Sequence, residues 1–362
     1  MNQATQPASS VSPTPIDEKE ARCAPVNQPT NLTFARNAMA TRFEIVLPGD
    51  DASRLRAAAE EAFDEIDRLE AQLSLFRPSS EIANINARAA AEPVRVSPET
   101  FRLLEHAARL STETGGAFDI TIAPLMRAWG FVHGSGHLPD PAQLAAARAC
   151  VGMNLVQLDV AARTVRFARP GVMLDLGAIG KGYAVGRAAE LLREAGITSA
   201  LIHGGTSTAC AIGHPPDAEA WKIAVAYPGS PGVPPAGFPK RAPQPAGGTP
   251  ALPGPLLANF ELCDEALSMS AGWGKSFHAN GRDYGHVLDP RTGEPSNNAL
   301  LAVVVTRSAT ETDALSTALL TLGPAGMDRI GALHRDLRAI VVAAGDKLGR
   351  HQIVARGVKV LG

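Results

Sequence analysis

The chain has 362 residues, 45% of them hydrophobic and 19% charged, enough to bury a large core as one big domain or two small ones. Its 34 basic and 36 acidic residues leave a formal net charge of −2 without long single-sign runs, which excludes a nucleic-acid stripe or a polybasic membrane patch and points to small molecules or proteins as partners. Four cysteines, at 23, 150, 210 and 263, form no C-x-x-C pair and are too sparse for a disulfide scaffold, so they read as reduced packing residues.

Residues 1–31 read as a polar, Pro-rich disordered arm with neither the basic start nor the apolar run of a signal peptide, and no apolar stretch precedes Cys23 as a lipoprotein anchor requires. No run of about 18 apolar residues occurs, so no transmembrane segment is expected. The sequence reads as cytoplasmic, or periplasmic only if a leader has been removed. From 32 to 362 a single large domain is expected. It opens on "LTFARNAMATRFEIVLPG", which has the β-branched and aromatic alternation of strands and is closed by Pro48-Gly49. From 52 to about 74, Leu55, Ala59, Phe63, Ile66, Leu69 and Leu73 recur at helical spacing. A second helix begins at Ser97, with Glu99 in its first turn, and ends at Gly115-Gly116. "GGAFDITIAPLMRAWGF" sets Asp119 in a short strand and follows it with Trp129 and Phe131, which read as core.

"LVQLDVAARTVRFARPGVMLDLG" alternates as a hairpin and leads to a third helix, "KGYAVGRAAELLREAG", and a buried strand, "SALIHGG". Further strands are expected at "WKIAVAY", "YGHVLD", "LLAVVVT" and "RAIVVAA", with a helix at 310–323 between the last two. Between them, residues 228–255 are more than half Pro or Gly, a composition that cannot pack a core and reads as a surface insertion. Strands and helices alternate irregularly, without βαβ repetition, which gives an α+β fold on a mixed or antiparallel sheet with flanking helices.

On the helix "TETDALSTALLTLG", Leu315, Ala318, Leu319 and Leu322 form an apolar stripe, while Asp313 and Thr317 lie about 40° apart on the opposite side. Leu320 falls in that polar stripe, so burial on both faces is expected, and a buried carboxylate needs a cation, a donor or a proton. The local alternative is an acid suiting the dipole of its own helix and a Thr bonding back to a carbonyl. "LDLGAIGKGYAVG" places Asp175 at a strand end before a glycine turn that enters a helix. Gly177, Gly180 and Gly182 permit close backbone approach, the helix start favours an anionic group, and Lys181 adds a charge. The stretch matches neither the P-loop nor the Rossmann pattern. "NGRDYGHVLDPRTGEP" adds His286 and Asp289, followed by an ordinary turn.

Together these stretches resemble the ApbE family of FAD:protein FMN transferases, over about residues 32 to 355. The likeness rests on "NAMATRFEI", "LSLFRPSSEIANIN", "GGAFDITIAPLMRAWGF", "LDLGAIGKGYAV", "HVLDPRTGEP" and "TDALSTALLTLG", in that order. The resemblance implies that Asp313, Thr317 and the Ala178 carbonyl bind Mg²⁺, an ion that takes oxygen ligands and leaves positions for phosphate. It also places Met39, Phe76, Ala117, Phe118, Asp119, Asp175, Lys181 and Leu288 around FAD. The implied reaction is displacement at the FMN-side phosphorus of FAD by a threonine hydroxyl of an acceptor protein, with release of AMP. The ion and Lys181 would carry most of the catalysis, and His286 would orient or deprotonate the incoming hydroxyl. The chain departs from the family at Gly186, where Asp is usual after G-Y-A-V, at Gly204-Gly205-Thr206 for G-G-[DN], and at Met269-Ser270-Ala271-Gly272-Trp273 for T-S-G-x-Y. Two other readings stay open: an FAD pyrophosphatase giving FMN and AMP, and a non-catalytic flavin-binding protein.

Overall fold

The computed structural model describes residues 31–132, 134, 136–228, 255–272, 274–345 and 351–361. The N-terminal arm up to residue 30, Cys23 within it, residues 229–254 of the expected insertion, and Trp273 lie outside the described residues.

Eight strands make the main sheet: Asn31–Ala38 (β1), Thr41–Pro48 (β2), Ala200–Gly204 (β3), Thr208–Ile212 (β4), Ala266–Ala271 (β5), Leu301–Thr306 (β6), Arg338–Ala343 (β7) and Gln352–Arg356 (β8). Their spatial order is their chain order, and every neighbouring pair is antiparallel. The sheet is therefore wholly antiparallel. Its central strands are covered on both sides, which explains why β6 is apolar at almost every position. Ala302 and Val304 face one core together with the helices, while Leu301, Val303 and Val305 face a second. That second core is closed by an antiparallel strand pair, Trp221–Ala226 with Leu256–Leu262, in which Ile223, Val225, Leu257 and Phe260 point inward. The Tyr227 N–H donates to the Pro255 carbonyl at 3.1 Å, just beyond the last pair of these two strands.

The four longest helices are Ala52–Leu73 (α1), Pro98–Glu113 (α2), Gly180–Glu194 (α3) and Ala309–Leu322 (α4). Each of α1, α2 and α4 starts where a side chain accepts an orphan N–H: Asp51 from Arg54, Ser97 from Thr100, and Ser308 from Glu311. On α1, all six residues expected at helical spacing are buried. α4 ends at Gly323, in the left-handed region at φ 68°.

Several local expectations are corrected. Asp119 is not in a strand: its carboxylate caps a short 3₁₀ turn, Ile120–Ile122, which runs into the helix Ala123–Ala128 with Pro124 in its first turn. The strand expected at "YGHVLD" stops at Gly285, which pairs with Ser276 at the start of the facing strand Ser276–Ala279, and Leu288 keeps only an isolated bridge to Pro295. Of the cysteines, Cys210 is buried in packing, but Cys150 is half-buried and Cys263 is exposed. Trp129 and Phe131 are core, as expected, in a small cluster with Leu125 and Leu288.

Candidate active site

The stretches singled out in the sequence are bonded to one another. Asn86, on the helix Glu81–Arg88, brackets Leu174 with its amide: Nδ2 donates to the Leu174 carbonyl at 2.9 Å, and Oδ1 accepts the Leu174 N–H at 2.7 Å. One residue on, the Asp175 N–H donates to the Ile120 carbonyl at 2.7 Å, joining the approach to the glycine turn to the Asp119 segment. Trp129 Nε1 donates to the Gly293 carbonyl at 2.8 Å, joining that segment to the turn after His286. The His286 ring meets Phe131 edge-on, with centroids 6.5 Å apart.

The closest junction is between the glycine turn and α4. No side chain caps α3; instead the Gly182 N–H in its first turn donates to Asp313 Oδ2 at 2.9 Å. Lys181 Nζ lies 3.4 Å from the Gly177 carbonyl and 3.9 Å from Asp313 Oδ1. Asp313 is 4% exposed and stands beyond the first turn of its own helix, where the acid is Glu311. The helix start that it faces is that of α3. Gly182 makes this possible, because a Cβ there would meet the Ala309 carbonyl oxygen at 2.2 Å and Asp313 Cβ at 2.7 Å. Gly186, one turn along, is under no such constraint: its added Cβ would meet Ala309 Cβ and Thr310 Oγ1 at an ordinary 3.8 Å.

Two titratable groups flank this junction. Burial pushes the Asp175 carboxyl up, against the Gly177 N–H at 2.8 Å and the charge of Lys181, which favour its ionised form. Burial pushes the His286 imidazole down; its bond to the Lys275 carbonyl opposes that shift, and the charges of Lys275 and Lys181 add to it. Nδ1 lies 3.2 Å from that carbonyl and must donate to it, which leaves Nε2 with a free lone pair, the form of a base.

The other expected site residues sit as follows. Ala178 is in the glycine turn, one residue from the carbonyl that Lys181 contacts. Thr317 Oγ1 lies 3.2 Å from the Asp313 carbonyl, the back-bond that its own helix offers. Ala117 and Phe118 are each 1% exposed. The Asp119 carboxylate is occupied internally, accepting from Thr121 N–H and Oγ1, Ser111 Oγ and Met153 N–H. Leu288 is buried against Trp129 and Phe131. Phe76 is exposed, just after the end of α1. Met39 and Ala40 form the two-residue turn between β1 and β2 with φ of 49° and 57°, left-handed values that cost a non-glycine residue about 1–2 kcal/mol each. Such strain gathers at ligand clamps, and a recess of about 430 Å³ lies between this turn and Glu70.

Sequence reasoning missed the buried acid of α4's first turn. Glu311 Oε1 accepts from His106 Nε2 at 2.9 Å and Arg109 at 2.6 Å, and Oε2 accepts from His334 Nε2 at 2.8 Å. These donors, on α2 and on the segment before β7, draw the Glu311 carboxyl down to about 2 from an ordinary 4.5. A depressed folded-state value stabilises above the unfolded one and is lost as protons bind. The chain is therefore expected to lose about 3 kcal/mol from this group as pH falls from 4.5 towards 2. Thermal unfolding followed against pH should show that slope flattened in Glu311→Gln.

The class of protein is thus an antiparallel α+β fold in which a buried carboxylate and a lysine meet at the start of a helix. The chain belongs to the ApbE family, whose model matches residues 39–341. It is 31% identical to an FAD:protein FMN transferase of Vibrio cholerae over 269 residues, 72% of either chain. A Treponema pallidum protein of the same name is 30% identical, covering 75% of this chain and 73% of its own. The solved apo flavinyl transferase ApbE of Pseudomonas stutzeri superposes with a TM-score of 0.75 at 25% identity, covering 92% of this chain and 96% of that one.

Proposed function

We propose that this chain is a Mg²⁺-dependent FAD:protein FMN transferase, which moves FMN from FAD to a threonine of an acceptor protein and releases AMP. The observation that carries the reading is the junction of Gly182, Lys181 and Asp313, supported by the shared name of the relatives. The donors suit a hard cation. Asp313 Oδ2 is held by the Gly182 N–H, so Oδ1 is the oxygen left to offer, with the Thr317 hydroxyl and the Ala178 carbonyl. Among the described residues no three His, Cys, Asp or Glu side chains gather as a metal cage, so a cation here would share few protein oxygens and complete its shell with water and phosphate. When bound, Mg²⁺ supplies charge neutralisation at the FAD diphosphate.

The chain's own residues do the rest. Lys181 brings positive charge to the phosphates at the start of α3, and Asp313 keeps that ammonium and the helix start in register. Asp175, Met39, Phe76, Ala117, Phe118, Asp119 and Leu288 form the flavin surroundings, with Asp119 acting through the backbone that it fixes. His286, neutral with Nε2 free, takes the proton of the attacking hydroxyl as the new phosphoester bond forms and the bond to AMP breaks. The test is incubation with FAD, Mg²⁺ and the acceptor protein of the Vibrio cholerae relative. Fluorescent flavin on the acceptor in a denaturing gel, with AMP in solution, is the expected result. Free FMN with AMP would make the chain a pyrophosphatase, and intact FAD a carrier.

A further inference from the structure

β5 and α4 pack with matched hydroxyls. Met269 points to the second core, so Ser268 and Ser270 face α4. Two strand residues advance about 6.6 Å and four helix residues about 6.0 Å, so the two rows stay in step. Ser268 Oγ meets Thr312 Oγ1 at 2.9 Å, and Ser270 Oγ meets Ser316 Oγ at 2.9 Å and Thr317 Oγ1 at 3.1 Å.

The second group has more donors than its carbonyl can take. The Asp313 carbonyl already accepts the helical Thr317 N–H, which leaves one lone pair. Two hydroxyls lie within reach of it, Ser316 at 3.0 Å and Thr317 at 3.2 Å. The two compete for it, and Ser270 is the hydroxyl that touches both. One order satisfies all three hydroxyls: Thr317 donates to Ser270, Ser270 to Ser316, and Ser316 to the Asp313 carbonyl. In that order each hydroxyl donates once, and Thr317 accepts from none of them. Its oxygen keeps both lone pairs, with its hydrogen drawn towards the sheet.

We infer that Ser270 is a positioning residue, which takes the Thr317 proton and so turns the Thr317 oxygen outward as a ligand for the cation. The inference rests on the proposed Mg²⁺ site and adds a residue to its support. Without Ser270, the Thr317 hydroxyl is left to share the Asp313 carbonyl with Ser316, so its hydrogen is no longer held towards the sheet and its lone pairs are not fixed towards the cation.

The test is Mn²⁺ binding to the full chain, with ADP as an unreactive diphosphate and free Mn²⁺ read by electron paramagnetic resonance. Ser270→Ala should weaken binding about 10-fold, as loss of a ligand's outer partner commonly does. Ser270→Cys, which fills the same space with a poor hydrogen-bond partner, should weaken it similarly, and Ser270→Thr should restore it. The metal-free melting temperature of Ser270→Thr and Ser270→Cys should stay near that of the parent, which separates positioning from folding. Parent-like affinity in both Ser270→Ala and Ser270→Cys would overturn this inference alone. Absence of Mn²⁺ binding by the parent chain would overturn the metal site and this inference with it.

Discussion

Gly182→Ala is expected to cost about 3 kcal/mol of stability and to abolish Mg²⁺-dependent AMP release, whereas Gly186→Ala on the same helix should gain up to about 1 kcal/mol. Both positions lie on α3, both are glycine, and neither has the positive φ that would demand it. What separates them is the approach of α4. At 182 the new methyl would stand 2.2 Å from the Ala309 carbonyl oxygen and 3.0 Å from its carbon, backbone atoms that no rotamer change can move. The helices would have to part, and the first bond to go would be the one from the Gly182 N–H to Asp313 at 2.9 Å. At 186 the nearest atoms are at ordinary contact distance, so only the better helix propensity of Ala remains. Chemical denaturation of the two variants beside the parent, with AMP release measured on each, tests the pair. Equal stability at both positions would mean that α3 and α4 are not held as closely as the structure places them.

How much of this was legible in the sequence depends on whether the signal is local. α1 could be read because its six apolar positions repeat at helical spacing, and α2 because Ser97 caps it; both arise within one element. β6 could be read as a strand, but its burial on both faces depends on the paired strands Trp221–Ala226 and Leu256–Leu262, which no local pattern announces. The hairpin Ser276–Ala279 with Arg282–Gly285 went unread although Asn280-Gly281, with φ of 50° and 74°, is a strong short-range turn signal. At the site, the residue types were legible and their partners were not. Asp313 could be seen to need a donor, yet only the fold shows it to be an N–H of α3. The same holds for Glu311, whose three donors come from α2 and the segment before β7. Ser270 carried no chemical signal of its own, because a strand serine is ordinary until a helix places two hydroxyls against it.

Asp313→Ala should lower AMP release by at least about 100-fold, and Asp313→Asn should lower it nearly as far while keeping stability within about 1 kcal/mol of the parent. The two substitutions divide the roles of the carboxylate. One oxygen accepts the Gly182 N–H at 2.9 Å, and an amide oxygen can do the same, so Asn preserves the junction of α3 with α4. The other oxygen faces Lys181 Nζ at 3.9 Å, where only a negative charge balances the ammonium and draws in a cation. Asn removes that charge. Ala removes both functions, leaving the Gly182 N–H unpaired in a buried place and Lys181 without the Asp313 charge beside it. Ala should therefore be the less stable of the two by about 1–3 kcal/mol, although their turnover is similar. Activity against Mg²⁺ concentration gives the sharper reading: if the carboxylate draws the ion, Asn should require far more Mg²⁺ to reach half of its residual rate. An Asn variant with parent-like turnover and Mg²⁺ dependence would reduce Asp313 to a tie between two helices, and the ion would have to be sought elsewhere.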